Sequence, residues 1–509
     1  MRAIHASTLH ETLMLATFAR RALAYAATRM APMNASDPLH DMLEHASLDS
    51  QRPLLWLIAA GFFMQTLDST IVNTAAPSIA DALRATPLGM KAALTSYVLT
   101  LAVCIPASAW LTDRFGTRRI YAASVLLFTL GSVACGAAQT LPQMIAARVL
   151  QGIGGALLMP IGRYVLIRLF GKHDFVAAMS LVSIPGLLGP MLGPVLGGWL
   201  SEYASWRLIF LINVPVGVVG LWLNARTMPD LRGVLRPFDG FGFALFAMGS
   251  GLLLAASEFA SDDMPAPALL SAGLGLLLCI GFVLHARRSA HPINDLGLFR
   301  VRSFSIALLG SLFTRLGASG LPFLLALYLQ IGCGYSPLQA GLMMAPQALA
   351  MMAMKPLIDP LLRRYGYRRT LYVNTVLVGA VLAAFALPVA RGDWLAITLL
   401  MFALGLVMSL QYTAMNTLAF VDLAPAQAGH AASMTSTAQY LSMSFGIALA
   451  TLLMGAFMPA HAPAAEYLHA FHATVLALAG SCFVSALVFM RLRRDRPLRA
   501  RVDDPDTAT

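Results

Sequence analysis

Long apolar runs dominate the chain, and short segments that hold most of the charged residues separate them. Between residues 54 and 490 the pattern shows fourteen such runs of about 20 residues, the length that an α-helix needs to cross a membrane. Strands of an outer-membrane barrel would be about ten residues long and would alternate in polarity. The pattern therefore predicts an all-α membrane protein with 14 transmembrane helices.

The composition fits a multi-pass membrane protein. Hydrophobic residues make up 58% of the 509 residues and charged residues only 12%, whereas about 25% of a soluble protein is charged. Lysine and arginine are concentrated in alternate loops and in both tails, and such loops face the cytoplasm. We therefore expect cytoplasmic N- and C-termini. We interpret the net charge of +11 as a sign of topology in a lipid bilayer, and we expect no nucleic-acid partner.

Nothing in the sequence indicates a cofactor. The five cysteines lie within or beside apolar runs, at spacings that do not suit metal ligation, and we interpret them as packing residues. A GxxxxGK[ST] loop is missing from the sequence, which argues against transport driven by an ATP site. Most histidines lie in tails and loops, without an HExxH motif or a nucleophile beside a base. We expect no metal, no cofactor and no enzymatic activity.

Two loops repeat one another along the chain. DRFGTRR begins at Asp113 and RRYGYRR begins at Arg363, and four of their positions match at an offset of 250 residues. The repeat predicts two equivalent six-helix bundles at 54–226 and 304–490, with two central helices inserted in the linker 227–303. Two related bundles around a site at the middle of the bilayer are typical of secondary transporters.

The two ends of the chain are predicted to be cytoplasmic tails, 1–53 and the basic 491–509. The first is basic and apolar, but it has no small-residue cleavage site of a signal peptide. Two interpretations remain open. It is a short amphipathic segment, or the start codon is placed too early and the initiator is Met30, Met33 or Met42.

Six segments resemble motifs of one transporter family. WLTDRFGTRR, RVLQGIGGA and GLLGPMLGPVLGGWL resemble the loop, fourth-helix and fifth-helix motifs of the major facilitator superfamily. LDSTIVNTAAP, SWRLIFLINVPVG and YLQIGCGYSPLQAGLMMAP are typical of its fourteen-span drug:proton antiporter family. The resemblance implies a proton-coupled secondary active exporter of small molecules, a proton antiporter of the multidrug efflux type. It also implies the bacterial inner membrane as location, and substrate, protons and lipid as partners of a chain that we take to be a monomer.

The family motifs suggest gating residues and antiporter residues. By the family pattern the repeated loops gate the cytoplasmic side, and Asp113 bonds near a helix N-terminus of the other half when that side is closed. The glycine and proline series of the fifth helix is associated with antiporters, in which it allows close packing and a bend. Positive-inside topology and simple packing are the alternative explanations. The gating residues are Asp113, Arg114, Gly116, Arg118, Arg119, Gly366, Arg368 and Arg369, and the antiporter residues are Gly189, Pro190, Gly193, Pro194, Gly197 and Gly198.

Asp68 is the acid that lies deepest in an apolar run of either predicted bundle. At 1.5 Å per residue it is about 21 Å from the cytoplasmic face, and Arg148 is about 8 Å from the opposite face of a core about 30 Å thick. The two heights agree, so we predict an intramembrane pair that couples protons. Burial favours a neutral carboxyl group and a nearby guanidinium favours a carboxylate, so separation of the pair would load a proton. A purely structural hydrogen bond is the alternative, and Glu258 and Asp359, at the ends of runs, are expected to be solvated or capping.

Gln65, Asn73 and Arg315 are the candidates for substrate contact. Gln65 and Asn73 lie near Asp68 along the first helix, where hydrogen bonding between helices explains them equally well. Arg315 lies about 16 Å deep in the ninth helix, and an arginine at that depth pairs with another group or faces water. A substrate carboxylate would suit its guanidinium. Backbone carbonyls, or Asp68 across the two bundles, are the alternative partners.

The substrate class stays open between two alternatives at this point. The resemblance implies hydrophobic, often cationic drugs. The excess of basic over acidic residues in the predicted cavity favours an organic anion such as a citrate-like carboxylate. A receptor without transport and a membrane enzyme are further alternatives with less support.

Overall fold

The structure is a computed structural model that describes residues 51–170, 172–235, 237–387, 393–424, 427–458 and 464–492. In these ranges the chain is built of helices and contains no strand, so the predicted all-α fold class is confirmed. The helices begin at Arg52, two residues before the predicted bundle. Most of the predicted tails, including the three candidate start residues, lie outside the described residues.

The α-helices are numbered here in chain order. They are α1 (Arg52–Ala82), α2 (Lys91–Cys104), α3 (Ala107–Phe115), α4 (Thr117–Ala137), α5 (Leu141–Leu169), α6 (Lys172–Tyr203), α7 (Leu208–Leu211), α8 (Asn213–Thr227), α9 (Gly240–Ser261), α10 (Pro265–Arg288), α11 (Arg302–Ala318), α12 (Leu321–Leu327), α13 (Pro337–Met344), α14 (Pro346–Ala384), α15 (Trp394–Leu418), α16 (Ala428–Phe457) and α17 (Ala464–Met490). A π-helical turn, Tyr328–Gly332, follows α12.

The helices are compatible with fourteen membrane crossings. Twelve helical stretches in the described ranges are long and apolar enough to span a membrane, or 13 if the bent pair Leu88–Cys104 and Ala107–Phe115 counts as one crossing. That pair bends by 58° at Pro106, which caps α3 and cannot continue the hydrogen bonds of α2. One of the twelve, Pro337–Ala384, has 48 residues, which is about 72 Å and more than two bilayer cores. Gly366 interrupts it with a non-helical backbone.

The helices of the first half (α1–α8) pack mainly with one another, as do those of the second half (α11–α17). In the first half α1 packs on α6, α5 packs on α2 and α4, and α8 packs on α1 and α4. In the second half α14 packs on α15 and α17, and α11 packs on α16 and α17. The main contacts between the halves join α6 with α13, α2 with α16, and α1 with α12, and smaller ones join α6 with α14 and α1 with α13.

The two faces of the helix assembly can be named by the repeated loops. Because the helices alternate in direction, the loops at 113–119 and 363–369 lie on the same side as residue 52, where α1 begins. We call this side the motif face. The opposite side, where α1 ends at Ala82, is the far face.

The inserted helices α9 and α10 form a hairpin that is closed at the motif face by Asp239. Its carboxylate caps α9 by accepting a hydrogen bond from the Gly242 backbone N–H at 2.9 Å, and it lies 2.7 Å from His285 Nε2 at the end of α10. It also accepts from the Ile293 N–H at 3.2 Å. Burial raises the pKa of Asp239, but the hydrogen bonds from Gly242, His285 and Ile293 outweigh it, so the pKa lies below its ordinary value.

Candidate functional site

Asp68 and Arg148 form a buried ion pair between α1 and α5. Arg148 Nη1 lies 2.6 Å from Asp68 Oδ2, and the two side chains are 1% and 0% exposed. The structure thus brings together the two residues whose depths agree in the sequence. A charge this deep is costly in a membrane protein unless it is paired, and each of these charges compensates the other.

Gln151 links both members of the pair. Its Oε1 accepts a hydrogen bond from Arg148 Nη1 at 2.7 Å, and its Nε2 donates to Asp68 Oδ1 at 2.7 Å and to Ser132 Oγ at 2.8 Å. Asn213 Nδ2 lies 3.4 Å from both Asp68 Oδ1 and Ser132 Oγ. The carboxylate therefore accepts hydrogen bonds from α5 and α8 in addition to its ion pair.

The remaining contacts of Arg148 come from α2 and α7. Its Nε donates to the Ala93 carbonyl at 3.3 Å, and its guanidinium lies 4.3 Å from the Tyr97 ring centroid and 5.7 Å from that of Phe210. Within the part of the chain that the structure describes, two buried atoms here, Arg148 Nη2 and the Tyr97 hydroxyl oxygen, have no hydrogen-bond partner. Arg148 can therefore donate a further hydrogen bond through Nη2 to a polar group next to the ion pair.

The sequence missed Gln151 and Asn213 as site residues. Both lie in segments that resemble the family motifs, RVLQGIGGA and SWRLIFLINVPVG. Gln151 follows Arg148 by three positions, and such neighbours share one face of a helix. That spacing was the available signal for Gln151, whereas Asn213 joins the site only through the packing of α8 on α1 and α4.

Two of the predicted substrate residues, Gln65 and Arg315, have polar contacts other than the ion pair. Gln65 is 2% exposed, and its Nε2 donates a 3.2 Å hydrogen bond to the Tyr440 hydroxyl of α16, which joins the two halves near the middle of the helices. Gln65 Oε1 is buried and has no hydrogen-bond partner among the described residues. Asn73 is buried one turn beyond Asp68 on α1.

Arg315 is half-buried near the end of α11, just before the break to α12. Its Nε donates to Ser311 Oγ at 3.0 Å, and its guanidinium lies 4.1 Å from the Tyr412 ring centroid. None of the carboxylates in the described residues forms an ion pair with Arg315. Asp68, the expected alternative partner, is paired with Arg148. A cation–π contact with tyrosine offsets part of the cost of such a charge.

The antiporter motif glycines set the distance between α1 and α6. A Cβ on Gly189 would lie 2.6 Å from the Leu67 backbone nitrogen, and one on Gly193 would lie 3.0 Å from Thr70 Cβ. Gly197 faces Thr74 in the same way. Only glycine allows this close backbone approach.

Hydrogen bonds accompany the packing of α1 on α6. Thr74 Oγ1 donates to the Pro194 carbonyl at 3.0 Å, and Thr70 Oγ1 lies 3.5 Å from the Gly189 carbonyl. Pro190 and Pro194 are inside α6, where each removes one backbone donor. Gly198 faces the other half, because its Cβ would lie 2.7 Å from the Pro337 carbonyl carbon at the start of α13.

The first gating loop docks on the end of α8 and on the segment that follows it. The Thr117 N–H donates to the Leu231 carbonyl at 3.0 Å, and Arg118 Nη2 donates to the Ala225 carbonyl. A Cβ on Gly233 would lie 2.6 Å from Asp113 Cγ, so the Asp113 carboxylate lies against the linker that follows the first half. The expected bond of Asp113 near a helix N-terminus of the other half concerns the state that is closed on this side, and it stays a prediction.

The arginines of the two gating loops lie among aromatic rings. The Arg114 guanidinium is 5.6 Å from the ring centroids of Trp110 and Phe115. Arg364 and Arg369 are each 5.5 Å from the Tyr365 ring centroid. Arg119 and Arg368 lie on the same loops. Asp359 is exposed and forms an ion pair of 2.8 Å with Arg363, in keeping with its expected solvated position.

Three hydrogen bonds between the halves lie towards the far face, in addition to the Gln65–Tyr440 bond near the middle. Glu202 Oε2, near the end of α6, accepts from the Leu338 N–H at 3.0 Å, in the first turn of α13. Gln330 Nε2 donates to the Thr74 carbonyl at 2.9 Å, and Ser444 Oγ donates to the Thr95 carbonyl at 3.1 Å. At the motif face, an open cavity of about 610 Å³ is lined by Lys355, Thr413, Asn416, Thr417, Phe420 and Val421.

The fold and the buried charges define the class of protein. Two helical halves joined towards one face, with an ion pair buried in one of them, are typical of a secondary transporter. The chain belongs to the Major Facilitator Superfamily, whose family profile matches residues 58–447. It is therefore a multi-pass membrane transporter, and the family resemblance of the sequence motifs is confirmed.

Its relatives include a group of bacterial proteins of one name. The chain is 43% identical over 459 residues to the putative multidrug resistance protein MdtD of Pectobacterium carotovorum, covering 89% of this chain and 98% of that protein. It is 42% identical over 450 residues to the protein of the same name from Klebsiella pneumoniae, covering 88% and 96%.

Solved structures share the fold at low sequence identity. A bacterial homolog of the human lysosomal transporter Spinster, in an inward-facing and unoccupied conformation, superposes with a TM-score of 0.63 at 15% identity, covering 87% of this chain and 97% of that chain. A D-xylose–proton symporter gives a TM-score of 0.63 at 14% identity, covering 87% and 98%.

Proposed function

We propose that this protein is a proton-coupled exporter of small molecules, of the multidrug type, in the bacterial inner membrane. The observation that supports it best is the buried ion pair of Asp68 and Arg148, bridged by Gln151. A receptor or a structural protein gains nothing from a carboxylate at this depth. The name of the relatives, putative multidrug resistance protein, supports the substrate class.

Proton binding at Asp68 would be coupled to conformation through Arg148. Protonation removes the negative charge that lies 2.6 Å from Arg148 Nη1. Arg148 would then be a buried cation with only dipoles and rings around it, which is costly. A rearrangement that hydrates Arg148 or gives it another partner becomes favourable, and in this way the proton drives the change between states.

The conformation fits the step at which an antiporter takes up its substrate. We assign the motif face to the cytoplasm because its loops are rich in arginine. The far face, towards which the halves are joined through Glu202 and Leu338, is then periplasmic, and the state is inward-facing. Asp68 is paired with Arg148, as expected after the proton has left to the cytoplasm.

Arg315 supports a second candidate substrate class. Its guanidinium is half-buried, and the described carboxylates do not pair with it. An organic anion, such as a citrate-like carboxylate, would supply two acceptors for the guanidinium. Export of organic anions is therefore the alternative that the experiment must separate from multidrug export.

Proton flux in liposomes tests the proposal. Purified protein is reconstituted with a pH dye inside, and a lipophilic cationic dye or citrate is added under a proton gradient. We expect the cationic dye to produce a proton flux, and we expect this flux to be absent in Asp68→Asn. A proton flux with citrate but not with the cationic dye, which is lost in Arg315→Ala, would favour export of organic anions. If neither these two compounds nor a broader panel of substrates produces a proton flux, proton-coupled export is contradicted.

Labelling of single cysteines tests the orientation. A thiol reagent that does not cross membranes should label Asp263→Cys in intact cells, because the loop between α9 and α10 is assigned to the periplasm. Tyr365→Cys, on the motif face, should react only after the cells are opened. The reverse pattern would overturn the assignment of the faces.

A further inference from the structure

The inserted hairpin, α9 and α10, contacts both halves, but its contacts with them differ in kind. At the far face, Lys91 is the first residue of α2 and is only 2% exposed. Its Nζ lies 3.6 Å from Glu258 Oε2, near the end of α9, and 3.4 Å from the Ser257 carbonyl. Lys91 Nζ also donates to Ser261 Oγ. The expected solvated role of Glu258 is thus replaced by an ion pair with the first half.

The hairpin is attached to the same helix pair at the motif face. Trp110, on α3, packs on Phe238, immediately before α9, with ring centroids 4.7 Å apart. Because α3 continues α2 beyond the bend at Pro106, the attachments lie near both ends of one bent pair. An ion pair fixes one end and an aromatic contact fixes the other.

The contacts with the second half are apolar. Leu254 of α9 forms a small buried cluster with Leu99 of α2 and Ala448 of α16. A second cluster, around Phe246 and Phe282 of the hairpin, is packed by Leu441 of α16. Leu254 is therefore a residue of the hairpin that lies between α2 and α16.

The two kinds of contact differ in what it costs to change them. Separation of the Lys91–Glu258 pair would leave the buried Lys91 ammonium group without its carboxylate partner, which is costly. Apolar side chains can slide over one another without losing a specific partner, since hydrophobic contact is not directional. A movement between α2 and α16 would therefore take place at the apolar contact and leave the Lys91–Glu258 pair intact.

We propose that the inserted hairpin is fastened to the first half and travels with it, while α16 of the second half slides across the hairpin. The hairpin is then a moving part of the first half and not a fixed wall between the halves. This inference rests on the proposed function, because it needs the two halves to move relative to each other.

Cross-links within the Leu99, Leu254 and Ala448 cluster test this directly. All five native cysteines are first replaced by serine, and Leu254→Cys is combined with either Leu99→Cys or Ala448→Cys. Each variant is assayed in liposomes reduced, oxidised, and reduced again. Transport by the 99–254 cross-link should stay within about twofold of the reduced protein. Transport by the 254–448 cross-link should fall at least tenfold and return on reduction. Equal loss in both, or equal retention in both, would overturn the inference.

Hydrogen exchange provides a measurement that does not depend on transport. Glu258→Gln should raise amide exchange at the end of α9 severalfold, because the attachment to Lys91 is weakened. Asp263→Asn, an exposed acid just beyond the same helix end, should leave exchange unchanged and serves as the matched control. If amide exchange at the end of α9 is unchanged in Glu258→Gln, the inference that this ion pair holds the hairpin on the first half is wrong. Absence of transport in all reduced variants would speak against the proposed function instead.

Discussion

Gly116 and Gly366 adopt the same unusual backbone conformation, although 250 residues separate them. Gly116 has φ 86° and ψ 152°, and Gly366 has φ 71° and ψ 168°. This region of φ and ψ is essentially restricted to glycine. Each residue lies where one helix turns into the next on the motif face. The repeat that is visible in the letters DRFGTRR and RRYGYRR is therefore also a repeat of backbone geometry.

Alanine at either glycine should destabilise the protein. A Cβ is strained at positive φ, and we expect a loss of about 1–3 kcal/mol for Gly116→Ala and for Gly366→Ala. Thermal unfolding in detergent, followed by loss of the folded peak in size-exclusion chromatography, measures it. Gly429→Ala is the control, because it lies in a helix with open space around its added Cβ. Equal stability of all three variants would contradict the expectation.

Asp68→Asn should abolish proton-coupled transport without preventing membrane insertion. The amide keeps the shape and a hydrogen-bond acceptor for Arg148, but it cannot exchange a proton in the physiological range. Substrate accumulation against a gradient in inverted vesicles is the measurement. Asp359→Asn removes an exposed carboxylate from the same protein and should transport normally. Active transport by Asp68→Asn at the wild-type level would exclude Asp68 as the proton site.

Gln151→Leu should slow transport and lower the stability of the protein. The substitution removes donors to Asp68 and Ser132 and leaves part of Arg148 without an acceptor, a loss of about 1–3 kcal/mol. Because Gln151 bridges both members of the ion pair, we expect a lower transport rate in liposomes and a lower temperature of thermal unfolding. Gln143→Leu, exposed on the same helix, is the matched control. Equal transport and equal stability of the two variants would show that the Gln151 bridge does not support the ion pair.

Gly193→Ala should disturb the contact between α1 and α6. Its Cβ would lie 3.0 Å from Thr70 Cβ and closer still to Thr70 Oγ1, so the two helices must separate. We expect lower thermal stability and slower transport. Gly186→Ala, on the same helix, would place its Cβ 3.6 Å from Phe62 Cβ, an ordinary contact, and should be close to neutral. If both variants behave alike, close packing at the motif is not what requires Gly193.

Acid should weaken the closure of the inserted hairpin through Asp239. Its pKa is lower in the folded protein than its ordinary value of 3.8, so its stabilisation is present above about pH 4 and is lost as pH falls through the lower folded value. Thermal unfolding between pH 7 and pH 3 should show this loss. Asp239→Asn should be less stable at pH 7, and its stability should depend less on acid. If the stability of Asp239→Asn falls with decreasing pH as steeply as that of the wild type, the Asp239 carboxylate is not the source of the acid sensitivity.

Much of the fold could be predicted because a membrane constrains it strongly. The apolar runs gave the helices, and the rise of 1.5 Å per residue gave the depths at which Asp68 and Arg148 meet. The break between α2 and α3 at Pro106 was not predicted, although proline is its physical reason. The bundle boundaries and the roles of the site residues remain predictions.

What the sequence could not provide is the direction in which each side chain points. Depth along a helix follows from counting residues, but the facing helix depends on packing. For this reason the contacts of Asn213 with Asp68, of Glu258 with Lys91 and of Arg315 with Tyr412 were not foreseen. The position of Asp113 against Gly233 likewise depends on the path of the linker, which residue counting does not give.

The threonines of α1 have a consequence for how Asp68 is reached. Thr66, Thr70 and Thr74 lock one side of α1 against the glycines of α6, while Asp68 on another side is held by Arg148 and Gln151. Every one of these partners belongs to the first half. If Asp68 is the proton site that we propose, it keeps its place within the first half, and the position of the second half would decide whether a proton can reach the carboxylate.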